Sequence, residues 1–127
     1  MIASGDVIAF AGTADPDRAC AFYRDVLGLA LVERNAFASV FDANGTMLRV
    51  TTVERVDPRP YTVLGWLVED LEAALGELAG AGVEPLRYDG LEQDAAGVWT
   101  APSGGRIAWF RDPDGNTLSL QEPPAGK

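Results

Sequence analysis

The sequence predicts an α+β fold in which one β-α-β-β-β unit is used twice, and three observations carry that expectation. First, Asp112-Pro113-Asp114-Gly115 lies between two apolar-rich flanks, residues 105–111 and 117–121. Proline sets φ at the second turn position, aspartate carboxylates bond nearby amides, and glycine accepts a left-handed exit, so the flanks should pair as a hairpin. Second, a weaker copy of this turn, Asp42-Ala43-Asn44-Gly45, stands 70 residues earlier, which places Arg49 where Ser119 stands in the later copy. Third, Asp6 to Phe10 leading to Asp15 is answered 55 residues later by Tyr61 to Gly65 leading to Asp70, which matches Ile8 with Val63. Self-similarity of this kind marks a supersecondary unit too small to bury its own sheet face.

Within the first copy, residues 6–12 read as a short buried strand broken at Gly12. Asp15-Pro16 opens a helix, with aspartate as cap and proline at the first helical position. Ala19, Phe22, Tyr23 and Val26 recur at helical spacing, and Gly28 supplies the stop. Strands are expected over 29–33, 36–42 and 46–53, followed by a polar, proline-rich linker. In the second copy, 61–68 is a strand, and Asp70 caps a helix whose Leu71, Ala74, Leu75 and Leu78 form one face before Gly80-Ala81-Gly82. Strands over 83–88, 98–100, 105–111 and 117–121 follow, with an acidic loop over 89–96 and a frayed tail over 123–127. The expected organisation is one domain over 1–127, with module one at about 5–54, a linker at about 55–60 and module two at about 61–122.

A chain of 127 residues that is 47% hydrophobic can bury a core of its own. Its net charge of −9 argues against nucleic acid or an anionic membrane surface as partner, because such binders need a basic footprint. Cys20 is the single cysteine, which excludes an intrachain disulfide and favours a cytoplasmic home. No basic leader and no apolar run approaching the roughly 20 residues of a spanning helix is present. Histidine is absent, which removes the commonest metal ligand and the commonest general base near neutral pH.

Three stretches in order carry a family resemblance: Ala21-Phe22-Tyr23-Arg24-Asp25-Val26-Leu27-Gly28-Leu29, Val68-Glu69-Asp70-Leu71-Glu72-Ala73-Ala74, and Asp112-Pro113-Asp114-Gly115-Asn116-Thr117-Leu118-Ser119-Leu120. With the repeat, they resemble the vicinal oxygen chelate superfamily, which includes glyoxalase I, bleomycin-resistance binding proteins, fosfomycin-resistance enzymes and extradiol dioxygenases. The resemblance implies paired β-α-β-β-β modules forming a curved, partly closed sheet around a cavity, with helices outside, and commonly a homodimer. It also implies metal ligands on the first and fourth strands of each module. Those positions here are Ile8, Arg49, Val63 and Ser119, none of them a usual ligand of the family. The expectation is therefore no metal and no cofactor.

The residues expected to contact a small-molecule ligand are Ile8, Arg49, Val63, Trp99, Trp109, Ser119 and Gln121. Arg49 alternates with Leu48 and Val50, which turns its guanidinium away from the helix layer toward a carboxylate or other oxyanion. The competing reading is an internal ion pair with Glu33 or Glu92. Trp99 and Trp109 offer flat apolar planes, whereas Trp66, in opposite phase to Val63, belongs under a helix. Ile8 and Val63 read equally well as core. Cys20 reads as an inert small core residue, Tyr23 as half of a packing pair with Phe22, and the acidic loop as solvated rather than a catalytic lid. Two functions remain open at this point: metal-free binding or sequestration of a flat, partly anionic molecule, and a glyoxalase-like or related lyase.

Overall fold

The structure, a computed structural model, describes residues 1–125, so Gly126 and Lys127 of the expected tail lie outside the described residues. A short 3-10 turn (Ile2–Ser4) precedes β1 (Ile8–Thr13), α1 (Pro16–Ala21), a π-helical turn (Phe22–Val26), β2 (Ala30–Arg34), β3 (Ala38–Ala43) and β4 (Thr46–Thr52). After the linker come β5 (Leu64–Leu67), α2 (Leu71–Gly80), β6 (Trp99–Thr100), β7 (Arg106–Arg111) and β8 (Thr117–Glu122). Among the described residues no helix is long and apolar enough to cross a membrane.

Two compact units result, one made of Met1–Pro58 with Pro113–Asn116, the other of Arg59–Asp112 with the chain from Thr117 onward. Each holds a four-stranded mixed sheet of the same order, β1-β4-β3-β2 and β5-β8-β7-β6, with first and fourth strands parallel and the rest antiparallel. The repeat expected from the two sequence offsets is thus present as one strand order used twice, in an α+β fold.

In unit one, Asp15 caps α1 by accepting from the Arg18 amide, and Gly28 leaves the helix at φ 74°. The helix buries Ala19, Cys20, Phe22 and Tyr23 against Phe41, Leu48 and Val50. Tyr23 stands edge-on to Phe22 at 5.4 Å and meets Phe41 at 5.9 Å, which makes the Phe-Tyr pair structural, as expected. The hairpin between β3 and β4 turns in two residues, Asn44 and Gly45, both at positive φ, with the Gly45 amide bonded to Asp42. Pro113–Asn116 completes this unit: Ala14 donates to Asp114 Oδ1 at 2.9 Å and Asn116 Nδ2 donates to the Gly12 carbonyl at 2.9 Å.

In unit two, Asp70 caps α2 through the Ala73 amide, and Leu71 and Leu78 are buried together with Ala108, Phe110, Leu118 and Leu120. One expected strand is absent. Residues 83–88 form no strand, because the amide of Gln93 occupies the backbone groups that a neighbouring strand would use: its Oε1 accepts from the Tyr88 amide, and its Nε2 donates to the Leu86 and Gly97 carbonyls, each at 2.8 Å. A single ladder-like bond survives, from the Leu86 amide to the Trp109 carbonyl at 2.8 Å. The acidic loop that follows is tied down, with Asp94 Oδ1 accepting from the Ala96 and Val98 amides and Arg87 donating to the Asp94 and Ala95 carbonyls.

Arg106 fastens α2 to this sheet, paired with Glu72 and, at 3.2 Å, with Glu122, whose other oxygen accepts from the Leu71 amide. Hydrogen bonding from Arg106 holds the Glu72 carboxyl below the usual carboxylate range. A depressed folded-state pKa contributes stability above the unfolded value and loses it as pH falls through the folded one. The stability difference between the native chain and Arg106→Met should therefore shrink between about pH 6 and about pH 3 in thermal melts. A difference that is constant over that range would show that the pair contributes nothing specific.

Candidate functional site

In unit one the pleat sorts side chains to two faces. Leu48 and Val50 are buried on the helix side, which leaves Ile8, Phe10, Met47 and Arg49 on the opposite face. There Phe10 is the cross-strand partner of Arg49, Arg49 of Val40, and Val40 of Glu33. Ile8, Phe10 and Met47 are 43%, 57% and 43% exposed, so Ile8 is not a core residue. Arg49 is half-buried and has no ion pair or side-chain hydrogen bond among the described residues. Glu33, one of its two expected partners, accepts instead from Asn35 Nδ2 at 2.8 Å.

In unit two the corresponding face carries two cross-strand rows, Gly65–Ser119–Trp109 and Leu67–Gln121–Ile107–Trp99. Val63 sits just before β5, its amide bonded to the Thr117 carbonyl at 2.9 Å, and is 38% exposed rather than core. Ser119 is 6% exposed, and its hydroxyl has no hydrogen-bond partner among the described residues. Gln121 is exposed. Trp109 and Trp99 are both half-buried, with ring centres 6.4 Å apart and planes tilted by 35°, and Trp109 meets the edge of Tyr88 at 5.3 Å. Trp66 pairs with buried Leu120 on the helix side, as its phase predicts. Ile8 and Arg49 thus share one face in unit one, and Val63, Ser119, Gln121, Trp99 and Trp109 one face in unit two.

Phe10, Gly65 and Tyr88 also belong to these faces and do not stand out in the sequence on their own. The phase of β1 offers Phe10 two residues after Ile8, and glycine inside a strand is a sign of close approach. Tyr88 carries no such sign, because its position depends on the irregular path set by Gln93.

The donor set does not fit the family's metal. Ile8 and Val63 have no electron pair to give, Arg49 brings a positive charge, and Ser119 alone offers a neutral oxygen. A carboxylate cluster does occur at Asp70, Glu72 and Glu122, with ligand oxygens within 4.8 Å of one another. It lies on the helix side of the second sheet and is engaged by Arg106, the Leu71 amide and the Ala73 amide.

Similar architecture is found in solved structures. The fosfomycin resistance protein FosX from Listeria monocytogenes matches with a TM-score of 0.75 and 14% identity, over 96% of this chain and 95% of that one. A glyoxalase/bleomycin resistance protein/dioxygenase from Alicyclobacillus acidocaldarius matches at 0.70 with 20% identity, over 94% and 92%. Lactoylglutathione lyase from Agrobacterium tumefaciens matches at 0.69 with 21% identity, over 94% and 93%. At these identities the likeness concerns the fold. No curated protein matches the chain in sequence. The family model of the Glyoxalase/Bleomycin resistance protein/Dioxygenase superfamily matches residues 7–120, in agreement with the repeated strand order and the turn motifs, and the chain belongs to that superfamily.

Proposed function

We propose that this protein binds or sequesters a small anionic molecule with a flat portion, without a metal at the family's ligand positions. The observation that carries the reading is Arg49, a half-buried guanidinium with no ion pair among the described residues, flanked in register by Phe10 and Val40 on a face that also carries Ile8 and Met47. A planar fork of donors in such surroundings suits a carboxylate or similar oxyanion. The same charge opposes a divalent cation: a guanidinium and a doubly charged ion about 4 Å apart repel by about 8 kcal/mol at an effective dielectric of about 20. The face of unit two, considered by itself, offers flat apolar surface from Trp99 and Trp109, neutral hydrogen-bonding groups from Ser119 and Gln121, and an apolar border from Val63.

The test compares 2-naphthoate with neutral 2-naphthamide by isothermal titration calorimetry, using the native chain and Arg49→Met. A hydrogen bond to a charged group is worth about 1.5 to 3 kcal/mol, so affinity for naphthoate should fall tenfold or more, about 1.4 kcal/mol per power of ten, while naphthamide is nearly indifferent. Equal losses for both would remove the role given to Arg49. Stoichiometric zinc, nickel or iron in the purified protein, lost on Ser119→Ala, would overturn the metal-free reading.

A further inference from the structure

Gly65 occupies an ordinary extended conformation, outside the left-handed region, so its backbone does not require glycine. What distinguishes the position is space. A Cβ placed there would come within 2.8 Å of Ser119 Oγ, closer than real Cβ contacts allow, although Gly65 itself is exposed. Along the strand, Val63 and Leu67 point to the same side and are 38% and 74% exposed, so the glycine lies between two apolar posts. Across β8 the row ends on Trp109. At the floor is the Ser119 hydroxyl, on a residue only 6% exposed but with its oxygen open to solvent, and bonded to no protein group among the described residues. A solvent-reached hydroxyl with no protein partner keeps its hydrogen-bonding capacity for a ligand atom that enters over the glycine.

We infer that Gly65 is a specificity-determining residue, whose missing side chain forms a notch admitting the polar edge of a flat aromatic ligand to the Ser119 hydroxyl. The part of the ligand that enters is an uncharged ring edge carrying a hydroxyl or ring nitrogen, whatever charge the rest of the molecule bears. Serine can donate to or accept from such a group, and the row formed by Gly65, Ser119 and Trp109 contains no charged side chain. The ring rests against Trp109. This inference rests on the small-molecule reading given above, but it uses unit two alone and does not depend on Arg49.

The probes are 2-naphthol and naphthalene, which differ by the one hydroxyl, titrated by tryptophan fluorescence against the native chain, Gly65→Ala, Ser119→Ala and the double variant. The native chain should prefer 2-naphthol by about fivefold to tenfold, as expected for one net hydrogen bond. Each single variant should abolish most of that preference while leaving naphthalene within about twofold, and the double variant should lose little more than either, because both remove one interaction. Ser119 is small and free to rotate, so Gly65→Ala is expected to fold; should it not, Ser119→Ala alone still decides through the naphthol preference. A native chain with no preference overturns the notch, as does a Gly65→Ala loss shared equally by both probes. If naphthoate still binds in an Arg49-dependent way while the notch fails, the broader reading stands. If the native chain binds none of the probes, both fall.

Discussion

Phe41→Ala is expected to destabilise the protein by about 3 to 5 kcal/mol, which is the range for removing a fully buried phenylalanine from a packed core. Phe41 has no exposed surface, lies on the central strand β3 between Leu31 and Leu48 in register, and contacts Tyr23 at 5.9 Å. The ring therefore joins the sheet to the helical segment, and alanine would leave a cavity that Tyr23 cannot fill without abandoning Phe22. Chemical denaturation should show the loss as a lower midpoint with an unchanged slope, and the melting temperature should fall by about 10 °C or more. Phe41→Leu should recover more than half of it. A loss below about 1 kcal/mol would mean that the ring is not enclosed as described.

Gly97→Ala is the second large effect, and its cause differs. Gly97 has φ +88°, and a Cβ there would lie 2.5 Å from Pro85 Cβ, a ring atom that cannot swing aside. The left-handed conformation alone costs a non-glycine residue about 1 to 3 kcal/mol, and the overlap adds to it. Gly82 provides the control, since it has φ +83° and open space around its position, so Gly82→Ala should carry the conformational cost alone. The excess for Gly97 measures the packing of Pro85. Because Gly97 accepts from Gln93, which shapes the segment leading to Tyr88, near-ultraviolet dichroism of Trp99 and Trp109 should change for Gly97→Ala and not for Gly82→Ala. Equal costs at the two glycines would disprove the steric part.

Much of this architecture is legible because its determinants are local. Asp15 and Asp70 cap the helices they precede, Gly28 ends the first helical segment, and the Asp-containing turns join the strands they flank. Local chemistry of this kind survives without knowledge of the rest of the chain. The misread segment 83–88 holds Val83, Leu86 and Tyr88, types common in strands, but Pro85 cannot donate to a ladder, and a side-chain amide five residues beyond Tyr88 satisfies the backbone of Leu86 and Tyr88. Hydrophobic pattern does not register such a substitution. The π-helical turn over Phe22–Val26 escapes for a similar reason, since its helical face reads the same with or without one wider turn.

The candidate site divides along the same line. Strand phase places Ser119 with Gln121, because alternation is a property of each strand alone, whereas the grouping of Arg49 with Ile8, on another strand, comes with the family resemblance. The lack of an ion partner for Arg49 among the described residues and the approach of Ser119 to Gly65 depend on cross-strand distances, which spacing in the sequence does not contain.

Residues 113–116 have a consequence for the order of events during synthesis. The first unit receives its final hydrogen bonds from Asp114 and Asn116, which lie 100 and 104 positions after the Ala14 and Gly12 groups they meet. Residues 1–58, although they contain the whole first sheet and helix, leave those two backbone groups to water. On the ribosome, the earlier copy of the duplicated unit must therefore wait, with its sheet formed but its rim unfinished, until nearly all of the later copy has emerged. A gene cut at the linker yields an amino-terminal fragment without its last contacts, and a synthetic peptide spanning the turn is the piece that would restore them.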